Sequence, residues 1–229
     1  MKKIIYFVIL LNLSTASAQF AIVDDPNGFC HLYDSLDKNS KKLLTLKNGE
    51  IVFNPFEPQD GWRPVDYRKE GKFESGYIYG ESLKYIYSFL QIPRYELADN
   101  KVVFKSGNIQ IEITQKNFDP KGRKYFYPAI KSDYIEKIDG YQTWGTDGRV
   151  PTSEYNSVEV IIKDERITLP KTALGGMFEP NLKTTEVYYD AITEVLYIEA
   201  TNGDAAGAYS VLWIIEKGVY KERHIALPF

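Results

Sequence analysis

The sequence predicts an all-β protein in which a small N-terminal barrel is followed by a second, sandwich-like β-rich domain. Three observations support this fold class. Apolar and polar residues alternate in many short runs, Gly, Pro, Asn and Asp separate these runs, and helical periodicity does not persist beyond about three turns after residue 18. Of the 229 residues, 44% are apolar and 14% aromatic, a composition that excludes a disordered chain.

Residues 1–18 have the three parts of a secretory signal peptide. Two lysines precede an apolar run, residues 4–13, and Ala16-Ser17-Ala18 is a small-residue cleavage signal. The run is shorter than the roughly 20 residues of a membrane-spanning helix, and the rest of the sequence contains no longer apolar segment. We therefore expect cleavage before Gln19 and export to the periplasm or the medium, without a membrane span. A buried N-terminal helix is the alternative.

Charge and composition narrow the classes of partner. The chain has 28 Lys and Arg against 31 Asp and Glu, a net charge of −3. Removal of Lys2 and Lys3 with the signal peptide would leave 26 against 31, or −5. A mildly acidic chain without a basic run is not expected to bind nucleic acid or an anionic membrane surface. With one cysteine and two histidines, neither a metal nor another cofactor is expected.

Strands and turns can be placed along most of the chain. The clearest predicted strands are residues 108–114, 157–162, 187–189, 195–200 and 209–216. The clearest turns are Lys47-Asn48-Gly49, Asp119-Pro120-Lys121-Gly122, Thr146-Asp147-Gly148 and Asn202-Gly203-Asp204. Two short helices are expected, one beginning near Ser132 or Asp133 and one within residues 171–182.

A domain boundary is predicted near Pro93, giving residues 19–92 and 93–229. The connector, residues 85–92, is aromatic and apolar, unlike a flexible Gly/Ser tether. Its rings would be exposed unless they packed, so we expect the two domains to contact each other.

Four pieces of residues 20–85 follow one another in order. They are Ala21-Ile22-Val23 with the turn Asp25-Pro26-Asn27-Gly28, residues 41–52, Gly61-Trp62-Arg63-Pro64-Val65, and residues 76–84. In this order and spacing the segment resembles the bacterial SH3 (SH3b) family. The resemblance implies a small barrel, and it implies a cell-wall peptide, hence peptidoglycan, as the ligand.

A small barrel fills its interior with one face of each strand. The predicted core is Ile22, Cys30, Leu32, Leu44, Val52, Val65, Ile78 and Leu83. The other face places five rings near the surface, namely Tyr33, Trp62, Tyr67, Tyr77 and Tyr79. Of these, Tyr33, Trp62, Tyr67 and Tyr79 are candidate ligand-binding residues, because rings offer a large contact area at low entropic cost. Alternatively they only cover the core. Pro64 cannot donate a ladder hydrogen bond, which favours an edge position for its strand.

Two glycine-rich segments of the second domain, residues 141–148 and 201–210, stand out from the scaffold. Glycine density indicates tight turns or a close approach to another group. The candidate ligand-binding residues here are Trp144, Asp147, Asn202 and Asp204. The two aspartates could also bind Ca²⁺ through oxygens, or simply bond their own backbone in a hairpin.

Known catalytic motifs are not found in the sequence: it has no G-x-S-x-G, H-E-x-x-H or P-loop pattern. Cys30 is expected in the barrel core, which leaves the second domain without a thiol nucleophile, so no catalytic residue is predicted. The sequence thus favours an exported, non-enzymatic protein that binds a cell-wall peptide or a cell-envelope protein. One alternative is a periplasmic inhibitor or immunity protein acting through the glycine-rich loops. The other is a carboxylate-dependent cell-wall hydrolase, which needs a cleft with two carboxylates about 5–10 Å apart, one with a raised pKa.

Overall fold

The computed structural model describes residues 18–69, 71–129 and 133–228. Its twenty strands are β1 (Gln19–Val23), β2 (Phe29–Tyr33), β3 (Lys42–Lys47), β4 (Ile51–Asn54), β5 (Trp62–Lys69), β6 (Lys72–Tyr79), β7 (Leu83–Tyr85), β8 (Leu90–Gln91), β9 (Arg94–Ala98), β10 (Lys101–Ser106), β11 (Ile109–Asn117), β12 (Tyr125–Phe126), β13 (Lys137–Ile138), β14 (Tyr141–Gln142), β15 (Ser153–Ile162), β16 (Glu165–Thr168), β17 (Glu186–Asp190), β18 (Val195–Asn202), β19 (Tyr209–Glu216) and β20 (Val219–Ala226). The prediction of an all-β protein is confirmed.

Among the residues that the structure describes, helical structure is confined to single turns. They are the helix α1 (Lys171–Leu174) and 3-10 turns at Ile86–Ser88, Leu182–Thr184 and Ala205–Gly207. The helix expected within residues 171–182 is therefore present. The one expected near Ser132 begins outside the described residues, and the chain from Asp133 to Glu136 is not helical. The predicted signal peptide, apart from Ala18, also lies outside the described residues. Within them, no helix has the length and apolarity to cross a membrane.

The first seven strands form one curled antiparallel sheet in the order β3-β2-β6-β5-β4-β1-β7. One face of each strand fills its interior. The buried residues there are Ala21, Val23, Cys30, Leu32, Leu46, Val52, Val65, Tyr67 and Ile78. Leu44 and Leu83, both predicted for this core, pack against it while partly exposed.

Two sequence expectations for this sheet are wrong. Ile22 was assigned to the interior, but Ala21 and Val23 occupy it, and Ile22 points to the opposite face. Because Ala21 is small, its hydrophobic signal is weaker than that of Ile22, and the sequence does not show which of the two faces the interior. Pro64 was expected on an edge strand, but β5 lies between β6 and β4. The ladder with β4 is limited to Phe53 and Asp66, so no β4 residue is paired with Pro64, whose carbonyl accepts from the Asn54 side-chain amide at 2.6 Å.

Two five-stranded sheets form a sandwich. Their orders are β16-β15-β11-β10-β9 and β20-β19-β18-β17-β8. Ile111, Val158 and Val160 of the first meet Ile198 and Trp213 of the second in one buried core. A separate three-stranded sheet, β12-β13-β14, completes the fold.

The β17–β20 sheet is covered on both of its faces and is called here the middle sheet. Its second face meets the curled sheet through a buried cluster, the inter-sheet cluster. The members are Phe20, Ile51, Phe53, Ile86, Tyr188, Val195, Tyr197, Leu212, Ile214 and Ala226. The connector contributes as its composition predicted: Ile86 is buried in the cluster, and Phe89 stacks on Tyr197 at 5.2 Å. Because β8 pairs with β17, the chain changes sheets between Tyr85 and Leu90.

The inter-sheet cluster predicts a large effect of truncating Phe53. Phe53 is buried and packs edge-to-face on Phe20 at 4.9 Å. Phe53→Ala should lower the free energy of unfolding in urea by about 3–5 kcal/mol, because the cavity between two packed sheets cannot collapse fully. Phe56→Ala, at a position 60% exposed, is the matched control and should change it by about 0.5 kcal/mol or less. Equal losses for the two variants would contradict the packing.

Candidate functional site

Five aromatic rings form a continuous row on the outer face of the curled sheet, called here the aromatic row. Phe29, His31 and Tyr33 alternate along β2 with the core residues. The ring of Tyr33 meets that of Trp62 at 5.5 Å, and Trp62 meets Tyr79 at 5.0 Å, both edge-to-face. Phe29 and His31 extend the row at the other end, with centroids 5.4 Å apart. Its two ends are open to solvent, since Phe29 is 43% and Tyr79 42% exposed.

Polar and charged groups accompany the rings. The Lys38 ammonium lies 3.4 Å above the centre of the Tyr79 ring, within cation–π range. His31 Nδ1 is 3.0 Å from the Thr45 hydroxyl. Desolvation, with the nearby charge of Lys42, lowers the pKa of His31, so this ring is neutral at physiological pH.

The structure corrects two of the aromatic candidates. Trp62 was expected near the surface but is only 5% exposed, because Tyr33 and Tyr79 cover it. Tyr67 was placed on the outer face, yet it is buried in the sheet interior beside Val65 and donates to Glu50 at 3.0 Å. Trp62 and Tyr67 are five positions apart on one strand, so they face opposite sides. Tyr33 and Tyr77 are half-buried, and only Tyr79 is well exposed.

The two glycine-rich segments of the second half pack directly against each other. A Cβ on Gly203 would lie 3.2 Å from the Gly145 Cα and 2.8 Å from the Gly207 carbonyl oxygen. Trp144 is held by backbone hydrogen bonds to Gly176 and Phe178. Glycine at these positions lets two backbones touch, which is a structural role.

Asn202 is corrected from a candidate ligand residue to a buried one. It is fully buried, and its side-chain oxygen accepts from the Tyr155 hydroxyl at 2.9 Å and from the Asn181 N–H at 2.8 Å. Asp147 and Asp204 are exposed at the tips of the two loops. The described residues contain no group of three His, Cys, Asp or Glu side chains that could hold a metal ion.

Trp144 lies away from the aromatic row. Its ring is 6.4 Å from Tyr209 and 5.6 Å from the Arg68 guanidinium. Arg68 is six positions from Trp62 on β5, about 20 Å at 3.3 Å per residue. The candidate residues therefore divide into two separate places.

A cavity of about 450 Å³ opens between the curled sheet and the middle sheet. Glu186 of β17 and Glu199 of β18 are direct cross-strand partners, and both line it. Burial, with the charge of Glu186, raises the pKa of Glu199 to about 7, whereas Glu186 is exposed and accepts from the Tyr188 hydroxyl at 2.8 Å. This pair was not found from the sequence, because only the strand register brings the two residues together.

The thiol faces away from the neighbouring His31 imidazole, and the other imidazole belongs to a different sheet. Cys30 is in the interior of the curled sheet, and burial raises its pKa to about 12. His31 belongs to the aromatic row. His224 lies on β20 at the middle sheet, 3.4 Å from Glu222. The Cys30 thiol is therefore protonated at neutral pH and unsuited to nucleophilic attack.

Comparison with known proteins leaves this geometry as the basis for any assignment. The chain matches no family model, and no curated protein or solved structure is significantly similar to it.

The loop packing predicts different effects of alanine at two glycines with similar backbone angles. Gly145 (φ +90°) and Gly140 (φ +86°) both carry the strain of a positive φ, but a Cβ at Gly145 would collide with the Phe178 carbonyl oxygen, whereas one at Gly140 meets open space. Gly140→Ala should cost about 1–2 kcal/mol of stability, and Gly145→Ala about 1–3 kcal/mol more. Thermal unfolding measures both, and equal losses would show that Gly145 does not lie against the Phe178 carbonyl group.

Burial of Cys30 predicts that its thiol is unreactive in the folded protein. An aromatic disulfide reagent at mildly alkaline pH should label it only after denaturant is added, because attack needs the thiolate. The absorbance of the released thiol measures this. Rapid stoichiometric labelling of the native protein would contradict the buried position.

Proposed function

We propose that this chain is an exported protein that binds a cell-wall peptide, or a protein of the cell envelope, through the aromatic row. The observation that carries the proposal is the row itself: five contacting rings, with exposed ends, on the outer face of a small curled sheet. Rings fixed against each other lose little entropy on binding.

The resemblance of residues 20–85 to the SH3b family supports the same proposal. Five residues predicted for the core of a small barrel, Cys30, Leu32, Val52, Val65 and Ile78, are buried in the curled sheet. The row includes Tyr33, Trp62 and Tyr79, three of the rings that strand alternation made candidates.

The chemistry of the row suits a peptide with carboxylate groups. Phe29 and Tyr79 offer apolar faces to aliphatic side chains. The Lys38 ammonium, held above the Tyr79 ring, can donate to a carboxylate at the same end. An exported protein would also share its compartment with such a ligand.

Truncation of Tyr79 tests the proposal without disturbing the sheet interior. Tyr79→Ala should weaken co-sedimentation with purified peptidoglycan sacculi about tenfold, because one exposed aromatic contact is lost. Tyr95→Ala is the matched control: Tyr95 is 73% exposed on β9 and should leave binding unchanged.

Two outcomes would overturn the cell-wall assignment. One is the absence of the wild-type protein from the pellet. The other is equal retention of wild type and Tyr79→Ala.

A carboxylate-dependent hydrolase is the second candidate, because one observation favours it. Glu186 and Glu199 face each other across adjacent strands, where Cα atoms lie about 4.5–5.5 Å apart, at the wall of a cavity. The raised pKa of Glu199 would let it act as a general acid beside the exposed Glu186 side chain, and glycoside hydrolysis uses such a pair of carboxyl groups.

Solubilisation of sacculi distinguishes the two functions. A hydrolase should release soluble fragments, and both Glu199→Gln and Glu186→Gln should abolish the release. If the protein only binds, the sacculi should stay intact with the wild type and with both variants. Release of fragments that survives both substitutions would exclude this carboxylate pair as the catalyst.

A further inference from the structure

The residues on either side of the expected cleavage site line the same cavity as Glu186 and Glu199. Ala18 and Gln19 lie on its wall with Phe20. Ala18, Phe20 and Ile22 alternate along the chain on the face that packs on the inter-sheet cluster. The residues on both sides of the expected cleavage bond thus line the cavity, and strand β1 begins by pairing Gln19 with Asn54.

The two carboxylates lie on the cavity wall without a salt bridge to any described residue. Within the described part of the chain, neither Glu186 nor Glu199 has an ion-pair partner, and the only other titratable group on the cavity wall is Tyr87. Two like charges at a direct cross-strand position are destabilising. A half-buried carboxylate in that position must take up a proton or gain a positive partner.

We propose that cleavage before Gln19 places a new α-ammonium group in this cavity, where it pairs with the Glu186–Glu199 carboxylates and anchors strand β1. The inference rests on the proposed export of the chain. On this proposal, the carboxylate pair binds the N-terminus of the mature chain.

The charges and dimensions support this pairing. An α-amino group has a pKa of about 8, so it is positive at neutral pH. The cavity has a volume of about 450 Å³, and Gln19, Glu186 and Glu199 all line it. In the uncleaved chain the same nitrogen is an uncharged amide, and the pair stays uncompensated. Processing therefore converts a destabilised site into a neutralised one.

The N-terminal glutamine offers a closely matched control. Glutaminyl cyclase joins the α-amine of Gln19 to its own side-chain amide carbon, and ammonia leaves. The product is an uncharged lactam at the same position. Chains beginning at Gln19 can be made from a fusion whose protease leaves no extra residue, and mass spectrometry distinguishes the amine from the lactam.

The amine and lactam forms are compared by thermal unfolding at neutral pH and by NMR titration of the Glu199 carboxyl carbon. The amine form should melt about 2–4 °C higher, and its Glu199 should titrate at lower pH. Glu199→Gln should reduce the difference in melting temperature. Equal melting temperatures together with equal Glu199 midpoints would overturn the pairing, as would hydrolysis of sacculi that requires Glu199.

A separate measurement isolates the premise of export. The chain is expressed from Met1 in a bacterial host, and the mass of the exported product is measured by mass spectrometry. A mass equal to that of a chain beginning at an unmodified Gln19 supports the premise. A different first residue, or a fully cyclised Gln19, would show that the exported protein does not carry this α-ammonium group. The comparison of the amine and lactam forms uses fusion-derived chains, so its result does not depend on export.

Discussion

Burial of the middle sheet on both faces is the constraint on which the rest of the structure depends. Leu196, Ile198 and Trp213 face the sandwich core, while Tyr197 and Leu212 face the curled sheet. Because neither face can be exposed to water without loss of apolar burial, the curled sheet and the outer sandwich sheet are both held against it. The aromatic row lies on β2, β5 and β6, whereas the inter-sheet contact uses β1 and β4 of the same sheet, and the carboxylate cavity borders that contact.

Strand alternation and turn residues predict much of this fold from the sequence. The five clearest predicted strands are present, and Lys47-Asn48-Gly49 turns as expected, with Gly49 at φ +88°. Alternation does not identify the buried face of a strand where a small residue is buried. In β1 the interior holds Ala21, whereas the sequence assigns Ile22 to it. The nearly continuous apolar run of β19 is typical of a strand covered on both faces, but the run alone does not say which sheet covers each face.

The candidate site could be predicted only in part, because its members meet through register. Phe29, His31 and Tyr33 have the spacing of one strand face, so their row is visible in the sequence. The burial of Trp62 is not, since it depends on β6 lying between β2 and β5. The packing of the two glycine-rich segments on each other and the pairing of Glu186 with Glu199 are likewise long-range results of topology.

The middle sheet should join both halves into a single cooperative unit. Native-state hydrogen exchange in increasing urea tests this, through the amides of Leu32 in the curled sheet and of Ile111 and Val158 in the outer sandwich sheet. All three amides should converge on one opening free energy, equal to that of global unfolding. Opening of Leu32 at a clearly lower free energy than Ile111 and Val158 would contradict it, because the curled sheet would then unfold on its own.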